Sequence, residues 1–166
     1  AEAGMAAFPC RAATLAGVNM ELVLWRHADA EDGVPDEARR LTAKGRRQSE
    51  KMAAWLAGRL PGDYRVICSP AVRARETAAA LTGNPRIEKA VSTAATPQDV
   101  LKAAGWPGGT GTVIIVGHQP TLGAAAALAL TGEAAAWGLK KGAIWWLACD
   151  KGGDVEVRAM LAPGIL

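Results

Sequence analysis

The chain has few of the residue types from which metal centres and disulfide frameworks are built. Its 166 residues include two histidines, three cysteines, one tyrosine and one phenylalanine. A site that needs three or more histidines is therefore excluded. An odd number of cysteines without C-x-x-C spacing also excludes a complete disulfide framework and a zinc ribbon. We expect the three cysteines to be free thiols in the reducing cytoplasm.

A large charge excess and a long apolar run are also absent. The 19 basic and 16 acidic side chains leave a formal charge of +3, which is too small an excess to predict nucleic-acid binding. The longest apolar run, 122–130, is much shorter than the ~20 residues that a membrane-spanning helix needs. Half of the residues are hydrophobic, enough to bury a substantial core. These features predict one cytoplasmic domain with no nucleic-acid or membrane partner.

Residues 1–19 differ in character from the remainder of the chain. They are rich in small residues and lack the basic start and long apolar centre of a secretory signal. We expect residues 1–19 to be an N-terminal extension or tag that adds little to the core. The predicted domain covers residues 20–166.

Apolar runs alternate with helical patterns along this domain. Strands are predicted at 21–25, 65–68, 86–88, 112–116, 143–148 and 155–160. Helices are predicted at 43–60 behind an N-cap at Thr42, at 97–105 and from 120 to about 131. A further helix is predicted to start at Ser69-Pro70, with Ser69 as its N-cap and Pro70 as its first residue. Residues 30–41 are predicted as a loop. The alternation indicates an α/β domain with a mainly parallel sheet, and the closing hairpin predicts an antiparallel edge strand.

Three predicted strands end in polar residues that can bind an oxyanion. Arg26 and His27 follow the first strand, Ser69 precedes a helix that carries Arg73, and His118 follows the strand at 112–116. Ligands of open α/β sheets bind beyond the carboxyl ends of the strands, so these segments should converge there. Two arginines and a helix N-terminus suit a phosphoryl group. A neutral imidazole can attack its phosphorus atom, while Arg26, Arg73 and His118 stabilise the oxygens.

The same segments resemble the motifs of a known family. Residues 24–28, LWRHA, resemble the R-H-G signature of the histidine phosphatase superfamily, the phosphoglycerate mutase-like enzymes. Residues 69–77, SPAVRARET, resemble its S-P-x-x-R-A-x-x-T segment, and residues 116–118, VGH, resemble its second-histidine segment. The LTAKG sequence at 41–45 lies between the first two in the expected order. The short chain is most similar to SixA-type phosphohistidine phosphatases.

This resemblance implies a role for each matching residue. His27 would be the nucleophile, and Arg26, Arg73 and His118 would form the phosphate pocket, with Ser69 as a further substrate-binding residue. The implied fold is a three-layer α/β/α sandwich, phosphoglycerate mutase-like, with five or six strands. The resemblance implies no metal and no cofactor.

Two departures from the family pattern bear on mechanism. Ala28 replaces the usual glycine after the histidine. The acidic general acid of many superfamily phosphatases has no clear counterpart, because Glu88 and Asp99 are out of register, and Asp29 is the candidate substitute. A phosphoramidate needs less help from an acid than an ester, because its leaving nitrogen can already be protonated. The sequence therefore favours phosphohistidine on a protein as substrate, such as a histidine-containing phosphotransfer domain.

Three other functions stay open at the level of sequence. A cysteine phosphatase needs a C-x5-R loop, whereas Cys68 and Arg73 have C-x4-R spacing. An inactive relative could bind a phosphorylated partner without turnover. A phosphomonoesterase for small phosphorylated metabolites could use the same scaffold.

Overall fold

The computed structural model of the protein describes residues 17–166. The strands are β1 Val18–Arg26, β2 Tyr64–Cys68, β3 Arg86–Ile87, β4 Gly111–Gly117, β5 Ile144–Asp150 and β6 Val155–Leu161. The helices are α1 Ala43–Ala57, α2 Val72–Ala79, α3 Pro97–Ala104 and α4 Thr121–Thr131. Most of the predicted N-terminal extension, residues 1–16, lies outside the described residues. The first strand begins at Val18, ahead of its predicted start.

The strands form one six-stranded sheet in the order β3-β2-β4-β1-β5-β6. The pairs β2–β3, β2–β4 and β1–β4 are parallel. β5 pairs antiparallel with both β1 and β6. The mainly parallel sheet and the antiparallel pairing at its edge are therefore confirmed.

Helices cover both faces of the sheet. Leu22 and Leu24 of β1 belong to a buried cluster with residues of α3 and α4. Val23 and Trp25 belong to a second buried cluster with residues of α1 and α2. Consecutive residues of a strand point to opposite faces, so one apolar strand contributes to both cores. The predicted three-layer α/β/α sandwich is confirmed.

The starts of two helices test the predicted caps. Thr42 caps α1 as expected, since its hydroxyl accepts a hydrogen bond from the Gly45 amide at 2.9 Å. The prediction that Ser69 caps α2 is wrong, because the helix begins at Val72 after Ala71. The Ser69 amide still donates to Val116 of β4 at 3.0 Å. The chain therefore leaves the sheet only after Ser69, and the helix starts later.

The topology places the ends of three strands side by side. β1 and β4 are parallel neighbours, with Arg26 opposite Gly117, and β2 lies on the other side of β4. The His27 amide donates to the Gly117 carbonyl at 3.0 Å. The segments carrying His27, Ser69 and His118 consequently leave the sheet at the same edge.

Gly45 fixes the distance between α1 and this edge. A Cβ atom at Gly45 would lie 1.9 Å from the carbonyl oxygen of Asp29, two residues beyond His27. The first turn of α1 is thus in contact with the backbone of the loop that follows β1. Only glycine permits this approach without displacing the backbone.

We expect Gly45→Ala to lower the free energy of unfolding by about 1–3 kcal/mol through overpacking, although alanine favours a helix by roughly 1 kcal/mol over glycine. The matched control is Gly58→Ala at the other end of α1. Gly58 has φ −74°, and the nearest atom to its new Cβ would be the Ala54 carbonyl oxygen of the same helix, at an ordinary contact distance of 3.8 Å. Urea denaturation should show Gly58→Ala unchanged or stabilised. Equal stability of the two variants would contradict the close approach.

Candidate active site

The His27 ring has one nitrogen engaged by the backbone and one facing the pocket. Only 7% of the residue is exposed. Its Nδ1 atom lies 2.8 Å from the carbonyl oxygen of Ala28, and a carbonyl can only accept. Nδ1 therefore carries the proton of the neutral ring, and Nε2 keeps its lone pair. The Ala28 amide donates to the Thr77 hydroxyl at 3.0 Å, which holds this loop on α2.

Arg73 lies between the two histidines. The residue is only 3% exposed. Its Nε donates to Nε2 of His27 at 3.3 Å, and its Nη2 lies 3.5 Å from Nδ1 of His118. One edge of the guanidinium therefore faces both imidazoles.

His118 is held in place by Ser69. The Ser69 hydroxyl lies 2.7 Å from Nε2 of His118, and Ser69 is fully buried. The centroids of the His27 and His118 rings are 5.2 Å apart, with planes tilted by 55°. Ser69 thus orients His118 instead of capping α2.

Arg26 has one guanidinium nitrogen bound and another available. Its Nη1 donates to the Leu139 carbonyl at 2.7 Å. Its Nε is buried and has no hydrogen-bond partner among residues 17–166. The Arg26 charge lowers the pKa of both histidines, so it acts on the same pocket. A buried donor without an acceptor is costly, and a bound anion would satisfy it.

The pocket favours the neutral form of both imidazoles. Burial is the main cause that lowers the His27 pKa to about 4, assisted by Arg73 and Arg26 and opposed by the bond to Ala28. Burial, followed by the His27 and Arg73 charges, lowers the His118 pKa to about 3. Neutral His27 retains the lone pair that a nucleophile needs.

The structure brings together all four residues predicted for the phosphate pocket: Arg26, His27, Arg73 and His118. Arg73 contacts both imidazoles, and Arg26, the chain neighbour of His27, is close enough for its charge to lower the pKa of both. Planar guanidiniums bind tetrahedral oxyanions through paired hydrogen bonds. The arrangement can therefore bind a phosphoryl group and present a nitrogen lone pair to it.

Asp29, the predicted general acid, has contacts of a different kind. Its carboxylate accepts from Lys141 at 2.6 Å and from the Thr42 hydroxyl at 2.8 Å. The bond to Lys141 is the main cause that holds the Asp29 pKa below its ordinary value. A carboxyl group stabilised as the anion is a poor proton donor, so these contacts favour a structural role.

The other two acidic candidates also have local partners. Glu88 forms an ion pair with Arg86. The Asp99 carboxylate accepts from the Thr96 amide and hydroxyl in the capping box of α3.

Asp36 is a pocket residue that the sequence did not indicate. Its backbone carbonyl accepts from Arg73 Nη1 at 2.7 Å, and its carboxylate accepts from Arg73 Nη2 at 2.9 Å. It lies in a 3-10 turn, Asp36–Ala38, within the predicted loop. The only sequence feature that could have indicated Asp36 is the mixed charge of the loop after β1. No spacing rule connects that loop to α2.

Cys68 does not have the environment of a nucleophile. It is fully buried at the end of β2, and its thiol donates to the Ser69 carbonyl at 3.3 Å. Burial raises the pKa of this thiol to about 12, so no useful fraction is thiolate at neutral pH. This environment argues against the cysteine phosphatase alternative.

Among residues 17–166, no group of three or more His, Cys, Asp or Glu side chains is placed to hold a metal ion. Over the same residues, no helix combines the length and apolar character required to cross a membrane.

Comparisons with known proteins agree with this geometry. The profile of the histidine phosphatase superfamily (branch 1) matches residues 22–96, which include Arg26, His27, Ser69 and Arg73. Uncharacterised proteins of Mycobacterium tuberculosis and Mycobacterium leprae are 35% and 38% identical over 106 and 108 residues. Each match covers 61% of this chain and just under two thirds of the relative, 66% and 64% respectively.

Solved structures extend the similarity to most of the chain. The protein histidine phosphatase SixA complexed with tungstate has 25% identity and a TM-score of 0.75, over 88% of this chain and 99% of that one. A SixA-like protein of Nakamurella multipartitia has 27% identity and a TM-score of 0.73, over 87% and 96%. A phosphoserine phosphatase of Entamoeba histolytica, with 15% identity and a TM-score of 0.67 over 89% and 99%, shares the fold. The phosphoglycerate mutase-like fold is thus confirmed, and so is the resemblance to the histidine phosphatase superfamily and its SixA-type members.

Proposed function

We propose that the protein is a metal-independent phosphatase that works through a phosphohistidine intermediate on His27. The observation that carries the proposal is the unprotonated Nε2 atom of the buried, neutral His27 ring. It lies 3.3 Å from Nε of the Arg73 guanidinium. Arg26 and His118 complete the oxyanion pocket around it. The match of residues 22–96, which include Arg26, His27 and Arg73, to the histidine phosphatase superfamily profile supports phosphatase chemistry at this site.

In the first step, the lone pair of His27 Nε2 attacks phosphorus opposite the leaving group. The new P–N bond forms as the bond to the leaving group breaks, and the leaving group keeps that electron pair. Arg73 Nε, freed from Nε2, donates to a phosphoryl oxygen. The ring becomes a phosphorylated imidazolium, which keeps its proton on Nδ1 and donates it in a hydrogen bond to the Ala28 carbonyl. That hydrogen bond strengthens as the ring becomes positive.

In the second step, water attacks the same phosphorus atom. The P–N bond breaks, and its electron pair returns to Nε2. The proton lost by the water passes to solvent, and orthophosphate leaves. Arg26, Arg73 and His118 bind the equatorial oxygens in both steps, where negative charge develops. His118 also gains a proton more readily when a phosphoryl anion is bound.

We further propose that the preferred substrate is phosphohistidine on a protein in the cytoplasm, such as a histidine-containing phosphotransfer domain. Its imidazole ring can carry a proton on the nitrogen that is not phosphorylated, so that the ring departs as a neutral imidazole when the P–N bond breaks. The contacts of Asp29 support this choice, since they leave no clear proton donor for a poor leaving group. The similarity to SixA proteins also supports it. A small-metabolite phosphomonoesterase is the alternative that the substrate test below distinguishes.

His27→Ala should abolish covalent labelling and slow turnover by at least roughly a thousandfold, because the nucleophile is lost. The measurement is acid-labile incorporation of radioactive phosphate in a rapidly quenched reaction. Cys68→Ala is the matched control and should label normally. Near-normal hydrolysis by His27→Ala would end the nucleophile assignment. A wild-type protein that binds phosphate but never labels would instead be a binding module.

Substrate preference can be measured as kcat/KM on paired substrates. We expect a phosphohistidine protein domain to exceed phosphoserine and sugar phosphates by at least about tenfold, since each tenfold corresponds to only about 1.4 kcal/mol of barrier. An unphosphorylated domain added as a competitor controls for binding of the protein surface. Faster turnover of the small esters would identify a metabolite phosphatase.

The depressed histidine pKa values predict a specific pH response. The two histidines should titrate near pH 4 and pH 3 in the native protein, and near their ordinary 6.5 in urea. Below pH 6.5 the unfolded chain takes up protons that the native protein does not. The free energy of unfolding should therefore fall as pH is lowered from about 6.5 toward 4. Nuclear magnetic resonance of the ring protons checks the values, and native titration near 6.5 would refute them.

A further inference from the structure

Asp36 binds Arg73 on the side away from the histidines. The two polar edges of the Arg73 guanidinium have different partners. Nε and Nη2 face the rings of His27 and His118, at 3.3 and 3.5 Å. Nη1 and Nη2 also donate to the backbone carbonyl and carboxylate of Asp36, at 2.7 and 2.9 Å. Asp36 therefore holds the end of the guanidinium and leaves its inner edge directed at the pocket.

The Asp36 bonds are the contacts of Arg73 that can persist through the reaction. The bond from Arg73 Nε to His27 Nε2 uses the lone pair that attacks phosphorus, so it must be released when the phosphoryl group arrives. The contact with His118 must also change when Nδ1 of that ring gains a proton and donates to a phosphoryl oxygen, because it can then no longer accept from Arg73. Neither change disturbs the carbonyl or carboxylate of Asp36. Orientation of Arg73 during bond formation then depends on Asp36.

The loop that carries Asp36 is itself tied to the rest of the protein. Arg39 donates from Nε to the Asp36 carboxylate and from Nη1 to the Glu31 carbonyl, both at 3.0 Å. At the end of the loop, the Leu41 amide donates to the Glu76 carboxylate at 2.7 Å. Glu76 belongs to α2, the helix that carries Arg73. The loop and the helix thus hold Arg73 from both sides.

We propose that Asp36 is a positioning residue, which orients the Arg73 guanidinium so that its inner edge receives the phosphoryl group. This inference rests on the proposed function, because it assumes an oxyanion between His27 and His118. Two rival roles predict other behaviour. An Asp36 that merely competes with the oxyanion would weaken binding in the wild type. An Asp36 that donates a proton would matter only for poor leaving groups.

The contacts favour positioning over both rivals. A competing anion would occupy the edge that faces the histidines, whereas Asp36 occupies the other end. Its side chain is 57% exposed, so water screens the effect of its charge on the pocket. The bond from Arg73 also lowers the Asp36 pKa, which disfavours a proton-donating role.

The test compares Asp36→Ala and Asp36→Asn with the control Glu37→Gln. Glu37 is an exposed acid in the same turn, so its substitution removes one charge without touching Arg73. Orthophosphate affinity is measured by calorimetry. Turnover is measured on p-nitrophenyl phosphate, which has a good leaving group, and on an alkyl phosphate, which has a poor one.

We expect Asp36→Ala to bind orthophosphate about tenfold more weakly and to lower kcat/KM by about tenfold or more on both esters. Asp36→Asn retains an oxygen acceptor and should recover part of both losses, whereas Glu37→Gln should match the wild type. If Asp36→Ala does not fold, Asp36→Asn carries the same comparison. Unchanged or tighter orthophosphate binding by the Asp36 variants would overturn the proposal, as would a loss confined to the alkyl ester. A wild type that binds no orthophosphate would instead overturn the proposed function.

Discussion

The parallel pairing of β1 with β4 is the constraint on which the site depends. Arg26 lies opposite Gly117 in this pairing, and the His27 amide continues it by donating to the Gly117 carbonyl. His27 and His118 therefore leave two adjacent strands at the same level. A shift of one residue would turn each side chain to the opposite face of the sheet. The apolar residues of β1 and β4, packed between two helical layers, oppose such a shift because both faces are buried.

The loop after β1 fixes the orientation of the His27 ring at the end of this strand pair. The Ala28 carbonyl accepts a hydrogen bond from Nδ1 of His27, and the Ala28 amide donates one to the Thr77 hydroxyl of α2. The same helix carries Arg73, so α2 supports both the loop of His27 and the guanidinium that contacts its ring. Gly45 permits α1 to pack against Asp29 in the same loop. The ring orientation is thus the product of three elements that converge on residues 28 and 29.

Local sequence patterns predicted the strands, the loop and the four pocket residues, because apolar runs that end in Arg-His or Gly-His are visible without the fold. These local patterns gave wrong or missing predictions where a residue binds a group that is distant in the sequence. The preference of serine for helix starts led to Ser69 as an N-cap, yet its amide is engaged by Val116 of β4. The contact between Asp36 and Arg73 spans 37 residues and depends on the path of a loop. No local periodicity encodes that path.

Burial, together with the charges of the pocket, explains why its histidines are neutral before an anion binds. Arg26 and Arg73 contribute two positive charges, and the Asp36 carboxylate offsets one of them. An additional charge on either ring would be repelled by the arginines and penalised by burial. A phosphoryl dianion reverses this balance, since it adds two negative charges beside the remaining cation. Protonation of His118 then becomes favourable at the moment when an additional donor to the phosphoryl oxygens is useful, so the substrate itself would prepare the second imidazole.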